Sequence, residues 1–132
     1  MMNAFATLTL PAAPSVVAPD GSDVRVLLAL RAGSMAHFTL PAGRTAKAVV
    51  HRTVEEVWYI VAGRGEMWRR DAEREETVAL VPGTCVTIPC GTQFQFRADA
   101  TQPVAAVAVT MPPWPGADEA VEVSGPWVPS AP

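Results

Sequence analysis

The chain has 132 residues and a mass of 14.0 kDa, enough for one domain with a core and too short for two ordinary ones. Nine Gly and thirteen Pro place a turn-capable residue about every six positions, which leaves little room for long helices and favours many short strands. A hydrophobic content of 49% against 17% charged excludes a disordered chain, and a net charge of −3 with scattered basic residues excludes a nucleic-acid surface.

Nine strands are expected in chain order. Val24 to Leu30 turns through Arg31-Ala-Gly33 into Ser34 to Leu40, and Pro41-Ala-Gly43 leads to Thr45 to His51. Glu56 to Ala62 is aromatic and β-branched, and Gly63-Arg64-Gly65 is a strong hairpin signal into Glu66 to Arg69. Arg70 to Glu76 is charged and reads as an exposed loop. Thr77 to Val81, Thr84 to Ile88, Thr92 to Ala98 and Val104 to Met111 complete the series, separated by Pro82-Gly83, Pro89-Cys90-Gly91 and Ala98 to Pro103. The core is therefore all β, a single domain over 1–132 with its centre at about 24–111 and an N-terminal arm over 1–23.

From Pro112 onward six prolines fall in 21 residues, together with Trp114, Trp127 and the acidic Asp118, Glu119 and Glu122. Such a tail cannot be a central strand. It is expected to be an irregular arm packing its Trp side chains on the barrel or on a second subunit.

Cys85 and Cys90 are the only cysteines, and a strand between them would hold their Cα atoms roughly 16 Å apart, beyond disulfide reach. They are expected as two half-buried small apolar side chains. No apolar run approaches the roughly 18 residues of a membrane-spanning helix. The first 17 residues lack a basic residue before their apolar stretch and are interrupted by Pro11 and Pro14, unlike a secretory signal. A cytoplasmic protein with no membrane or nucleic-acid partner is the expectation.

The turn residues also stand at set offsets. Gly43, five residues, Val49-Val50-His51, four residues, Glu56, six residues and Gly63 form one frame, and Gly83, five residues, Pro89-Cys90-Gly91, two residues, Phe94, three residues and Ala98 form a second. These frames resemble the two motifs of the cupin family, in which His stands at the positions of Val49, His51 and Phe94, and Asn at that of Ala98. Seven of the ten fixed positions agree. From average Gly and Pro usage, four glycines and one proline at these offsets have a chance probability on the order of 10⁻⁶ for one pair of registers. The resemblance implies a double-stranded β-helix, or jelly-roll barrel, with a cavity at one end.

In metal-binding cupins the two His and the Glu of the first motif converge with the His of the second on a divalent transition metal. Of these four the chain keeps His51 and Glu56, a poor ligand set for a closed site. No cofactor is therefore the first expectation, with a divalent transition metal as the alternative. His37, which shares the parity of Met35 and Thr39, is the one further histidine that could join His51 and Glu56 if its strand lines the cavity. Phe94 at the family's His position turns Gln93 and Gln95 to the other face unless a bulge intervenes.

Glu56 facing an apolar cavity is expected to have a raised pKa. Lys47, the only lysine, shares the parity of Val49 and His51 and is a candidate anchor for an anionic ligand at the cavity mouth. Glu56, Trp58 and Ile60 share one face, and Thr92, Phe94 and Phe96 another; with Met35 they describe either the wall of a small-molecule site or a plain hydrophobic core, which periodicity does not separate. The leading functional expectation is a cupin that binds a small organic molecule, anchored by His51 and Glu56 and walled by Trp58, Phe94, Phe96, Met35 and Lys47. A second uses His51 and Glu56 as catalytic acid and base, or as ligands of a metal, in isomerase-like or dioxygenase-like chemistry. A third is a homodimeric assembly module joined through edge strands such as Ala4 to Leu10 and through the Trp-bearing tail.

Overall fold

Eleven strands form among the described residues, 4–18 and 20–130, of the computed structural model. They are β1 (Val16–Val17), β2 (Asp23–Leu30), β3 (Gly33–Leu40), β4 (Val49–His51), β5 (Glu55–Gly63), β6 (Gly65–Arg70), β7 (Glu75–Leu80), β8 (Cys85–Ile88), β9 (Gln93–Ala98), β10 (Val104–Met111) and β11 (Ala120–Glu122). Residues 1–3, 19 and 131–132, and with them the two extremities of the expected arms, lie outside the described residues. No helix among the described residues is long and apolar enough to cross a membrane.

The strands build two antiparallel sheets, ordered β1-β2-β3-β10-β5-β8 and β11-β4-β9-β6-β7, packed face to face. The architecture is the jelly-roll barrel. Alternation decides what each strand contributes: Val104, Ala106, Ala108 and Thr110 of β10 are buried, and their neighbours are half-exposed. From the second sheet Met67, Phe94 and Phe96 meet Trp58, Ile60 and Leu40 of the first in one cluster.

Two expectations about elements change. The strand over Thr45 to His51 shrinks to β4, because Ala46 and Val49 both enter the core and the alternation slips between them. The exposed loop expected over Arg70 to Glu76 narrows to residues 71–74, with Arg70 ending β6 and Glu75 and Glu76 opening β7: Asp71 Oδ1 accepts the backbone N–H groups of Glu73 and Arg74 and closes a tight turn. Arg70 and Glu75 then stand opposite each other, and Arg69 Nη2 donates to Glu76 at 3.0 Å. Cys85 and Cys90 are both exposed free thiols, rather than half-buried, because Cys85 lies on the outer side of β8 and Cys90 in the following turn, where its thiol donates to the Arg52 carbonyl.

After Met111 the chain becomes a strap around the second sheet. Trp114 N–H donates to Ser34 Oγ at 3.0 Å, β11 pairs with β4, and Val123 N–H donates to the Ala48 carbonyl. Gln95, on the outer face of β9, is 1% exposed because the strap covers it: its amide donates to the carbonyls of Ala46 and Trp127 and accepts the Trp127 N–H. Arg97 lies over the Trp127 ring at 4.1 Å, and Ser130 N–H donates to the Thr45 carbonyl.

Gly63 shows why a glycine is needed at the β5–β6 turn. Its φ is +77°, and a Cβ there would collide with the carbonyl of Pro103. Gly63→Ala is expected to cost about 2 kcal/mol or more through strain and displacement of the β10 entry, measured as a lower urea midpoint at unchanged slope.

Candidate functional site

His51 ends β4 and Glu56 opens the inward face of β5, so two strands from opposite sheets bring them together at one end of the barrel. His51 Nδ1 lies 3.4 Å from Glu56 Oε2, and both side chains are buried. Glu56 Oε1 accepts the Trp58 indole N–H at 2.6 Å, two residues along the same strand face. His51 Nδ1 is buried and has no hydrogen-bond partner.

Aromatic rings surround the pair. The His51 imidazole is met edge-on by Phe94 from the second sheet and by Trp114 from the strap, each with centroids 5.2 Å away. Trp58 stacks on Phe38 at 5.2 Å and meets Phe94 and Phe96 edge-on, so Trp58 and Phe96 form the floor beneath the pair. Thr110 stands beside Glu56 in the β5–β10 register, and its hydroxyl bonds to Ser34, which holds the Trp114 backbone.

Electrostatics follow from this enclosure. Burial raises the Glu56 carboxyl to about pKa 7; the Trp58 N–H pulls it back in part, and the charges of Asp20 and Glu119 push it further up. Burial lowers the His51 imidazole, against a smaller opposite pull from Glu119. Burial also pushes Glu119 up, but the backbone N–H groups of Thr53 and Val54 and the Thr53 hydroxyl outweigh it and hold that carboxyl below its ordinary value. Asp20, whose Oδ1 accepts the N–H and hydroxyl of Ser22, is raised by burial. Near neutral pH the site therefore presents an uncharged imidazole beside a carboxyl that can hold its proton or release it.

Of the residues marked from the sequence, His51, Glu56, Trp58, Phe94 and Phe96 converge here and three do not. His37 and Met35 face outward, because β3 turns Phe38 and Leu40 into the core and places His37 between Arg25 and Val107 on the outer side. Lys47 sits at the alternation slip, half-exposed, with its backbone N–H on the Asp20 carbonyl and no part in the ion pairs of the described residues. Trp114, Ser34, Thr110 and Glu119 were not singled out as site residues; for Trp114 and Glu119 the one signal was the Trp and acidic content of the tail, which carries no address, and Ser34 and Thr110 had none.

The donor set does not fit the metal that the fold family implies. Val49 and Phe94 take two of the four ligand positions, the Phe94 ring packs against the imidazole, and no third His, Cys, Asp or Glu joins His51 and Glu56 among the described residues. A His37, His51, Glu56 constellation is excluded by the outward direction of His37.

The Glu56 carboxyl has a measurable signature. Below about pH 4.5 both the folded and unfolded states bind its proton, and between there and about pH 7 only the folded state does, so its contribution to stability falls as pH rises through that window and levels off above it. Relative to Glu56→Gln, the wild-type chain should lose up to about 3 kcal/mol between pH 4 and pH 8, read from paired urea titrations. Equal pH profiles for the two proteins would contradict a carboxyl so raised.

The fold and this geometry can be set beside known proteins. Residues 36–110 match the family described as Cupin domain. No curated protein matches the chain. Among solved structures, KdgF from Halomonas sp. is 16% identical with a TM-score of 0.64, covering 75% of this chain and 86% of that one. An uncharacterized conserved protein with a double-stranded β-helix domain from Klebsiella pneumoniae is 14% identical with a TM-score of 0.64, covering 79% and 85%. Oxalate decarboxylase from Bacillus subtilis is 14% identical with a TM-score of 0.69, covering 83% of this chain and 29% of that one. At these identities the structural likeness speaks for the fold alone, while the family match extends over more than half the sequence and takes in both glycine frames: the chain belongs to the cupin family.

Proposed function

We propose that this cupin binds a small organic molecule at the His51 and Glu56 pair, by hydrogen bonds rather than through a metal. The observation that carries the reading is the buried His51 Nδ1, which has no partner and lies 3.4 Å from Glu56 Oε2. An unpaired polar atom at depth costs roughly 1–3 kcal/mol, and a ligand group that bonds to it recovers that cost. A neutral imidazole and a protonated carboxyl offer a donor and an acceptor side by side, the complement of a hydroxy, keto or carboxylic acid group. Phe94 and Trp114 would contact the ligand's apolar portion, with Trp58 and Phe96 below.

A second reading is favoured by the Glu56 pKa of about 7. A carboxyl titrating near neutrality beside an uncharged imidazole suits proton transfer, Glu56 giving or taking the proton and His51 Nδ1 receiving or returning it. One structural neighbour is an oxalate decarboxylase, so this barrel serves an enzyme of a small acid in that protein. The exposed free thiols of Cys85 and Cys90 suit a reducing compartment, and a cytoplasmic location is part of this proposal.

Because Trp114 and Trp58 border the pair, intrinsic fluorescence reports on its occupancy. Titration with oxalate, glycolate, pyruvate, glucuronate and benzoate should give a saturable change with at least one compound. That response should weaken at least tenfold in His51→Ala and Glu56→Gln. No response across the panel, or affinities unchanged in both variants, would sink the binding reading. Consumption of a bound compound by the wild-type chain, lost in both variants, would favour the enzyme. Addition of Mn²⁺, Fe²⁺, Ni²⁺, Zn²⁺ or Cu²⁺ should leave the melting temperature unchanged; stabilisation abolished by His51→Ala would restore a metal-based reading.

A further inference from the structure

We infer that residues 112–118 form a lid over the His51 and Glu56 pair, latched by Ser34, which swings outward to admit a ligand and then closes Trp114 upon it. The inference rests on the ligand-binding reading, because it describes how a ligand reaches that pair. As the chain stands, the pair is shut. His51 is 5% and Glu56 4% exposed, and beneath them Trp58, Phe96, Ile60 and Ile88 are buried and fill the interior. A molecule that bonds to His51 Nδ1 needs some part of the cover to move.

The strands around the pair are ill suited to that movement. β4 is held between β9 and β11 and β5 between β8 and β10, and the turn joining β4 to β5 gives three donors to Glu119. The segment after Met111 differs. Residues 112, 113 and 115 are prolines with no N–H to donate, and among the described residues one hydrogen bond, from Trp114 N–H to Ser34 Oγ, joins the backbone of 112–116 to the barrel. No strand pairing has to break for this segment to leave.

Its feet stand close together. Met111 is the register partner of Glu55, and the Glu119 carboxylate takes the N–H groups of Thr53 and Val54, so the loop leaves and rejoins the barrel within three consecutive positions of another segment. That is the build of an Ω-loop. Such a loop can rotate about the line through its feet while both sheets stay in place. Gly116 supplies a pivot: its φ is +148°, and no atom lies within 4 Å of where a Cβ would stand. The prolines before it stiffen the rest, so Trp114 travels with the loop as one leaf.

The latch borders the site. Ser34, Thr110 and Glu56 are successive register partners across β3, β10 and β5, and the Thr110 hydroxyl bonds to the Ser34 hydroxyl that accepts the Trp114 N–H. A ligand engaging Glu56 therefore lies beside the latch, and the returning indole meets its apolar portion.

Diethyl pyrocarbonate, which carbethoxylates uncharged imidazole, tests the lid without any ligand, with His51 and His37 read separately by peptide mass spectrometry. In the wild-type chain His51 should react at a rate that stays flat in urea up to the unfolding transition, as a local opening requires. Ser34→Ala removes the latch acceptor, and Gly116→Ala strains the closed φ without touching Trp114 or the barrel. Each should speed His51 labelling by about fivefold or more, the equivalent of one lost hydrogen bond, with His37 unchanged. Gly116→Ala decides the matter where Ser34→Ala unsettles the barrel. A His51 rate unchanged in both variants, or one that climbs with urea in step with global unfolding, overturns the lid. So does a wild-type His51 as reactive as in Trp114→Ala, since the pair would then already be open. A silent fluorescence titration beside accelerated labelling overturns the ligand reading and leaves the opening in place, whereas saturable binding beside unaltered labelling overturns the lid alone.

Discussion

The indole of Trp58 is the element on which both the barrel and the site depend. Its ring stacks on Phe38 within the first sheet and meets Phe94 and Phe96 edge-on across the interior, so it closes the gap between the two sheets. Its N–H would be an unpaired donor in that apolar setting, and Glu56 Oε1 accepts it at 2.6 Å. The carboxyl is thereby held at depth, and depth raises its pKa to about 7. Packing, hydrogen bonding and acid-base character are consequences of one side chain's need for a partner.

The strap extends this logic to the barrel end. A carboxylate at Glu119 takes three donors from Thr53 and Val54, in the turn between β4 and β5 that separates His51 from Glu56. Ser34 holds the Trp114 backbone on the opposite side, bringing the Trp114 ring against the imidazole. Farther along, Gln95 and Arg97 bind the Trp127 region to the outside of β9. Residues more than 60 positions from His51 in sequence thus complete its surroundings, and the same chain segment dresses one outer face while leaving the other apolar.

Much of the architecture was legible before any coordinates. Glycines at 43, 63, 83 and 91 all adopt positive φ, so their spacing reported real reversals of the chain, and the expected strands from Val24 to Met111 correspond to β2 through β10. The inward set Glu56, Trp58 and Ile60 and the set Thr92, Phe94 and Phe96 also follow from alternation. Where both faces of a strand are plausible, alternation decides nothing. Met35, His37 and Thr39 compete with Ala36, Phe38 and Leu40, and only the packing of Phe38 on Trp58 turns His37 outward. A one-residue slip, as between Ala46 and Val49, is equally silent in sequence and moves Lys47 away from the side of His51.

Local chemistry is what the sequence by itself determined: turns that need glycine or proline, strands that alternate, one histidine and one glutamate at cupin offsets, and Val49 and Phe94 at two of the family's ligand positions. Contacts between distant segments were decided only by the tertiary structure. Which face of β3 is buried, that Trp114 covers His51, that Gln95 is sealed under the strap, and that the outside of the first sheet stays apolar all depend on how two sheets and a tail close around a fixed volume. The physical reason is range. Backbone conformation responds to neighbours a few residues away, whereas burial, and with it the protonation of Glu56, is set by side chains that meet only when the barrel closes.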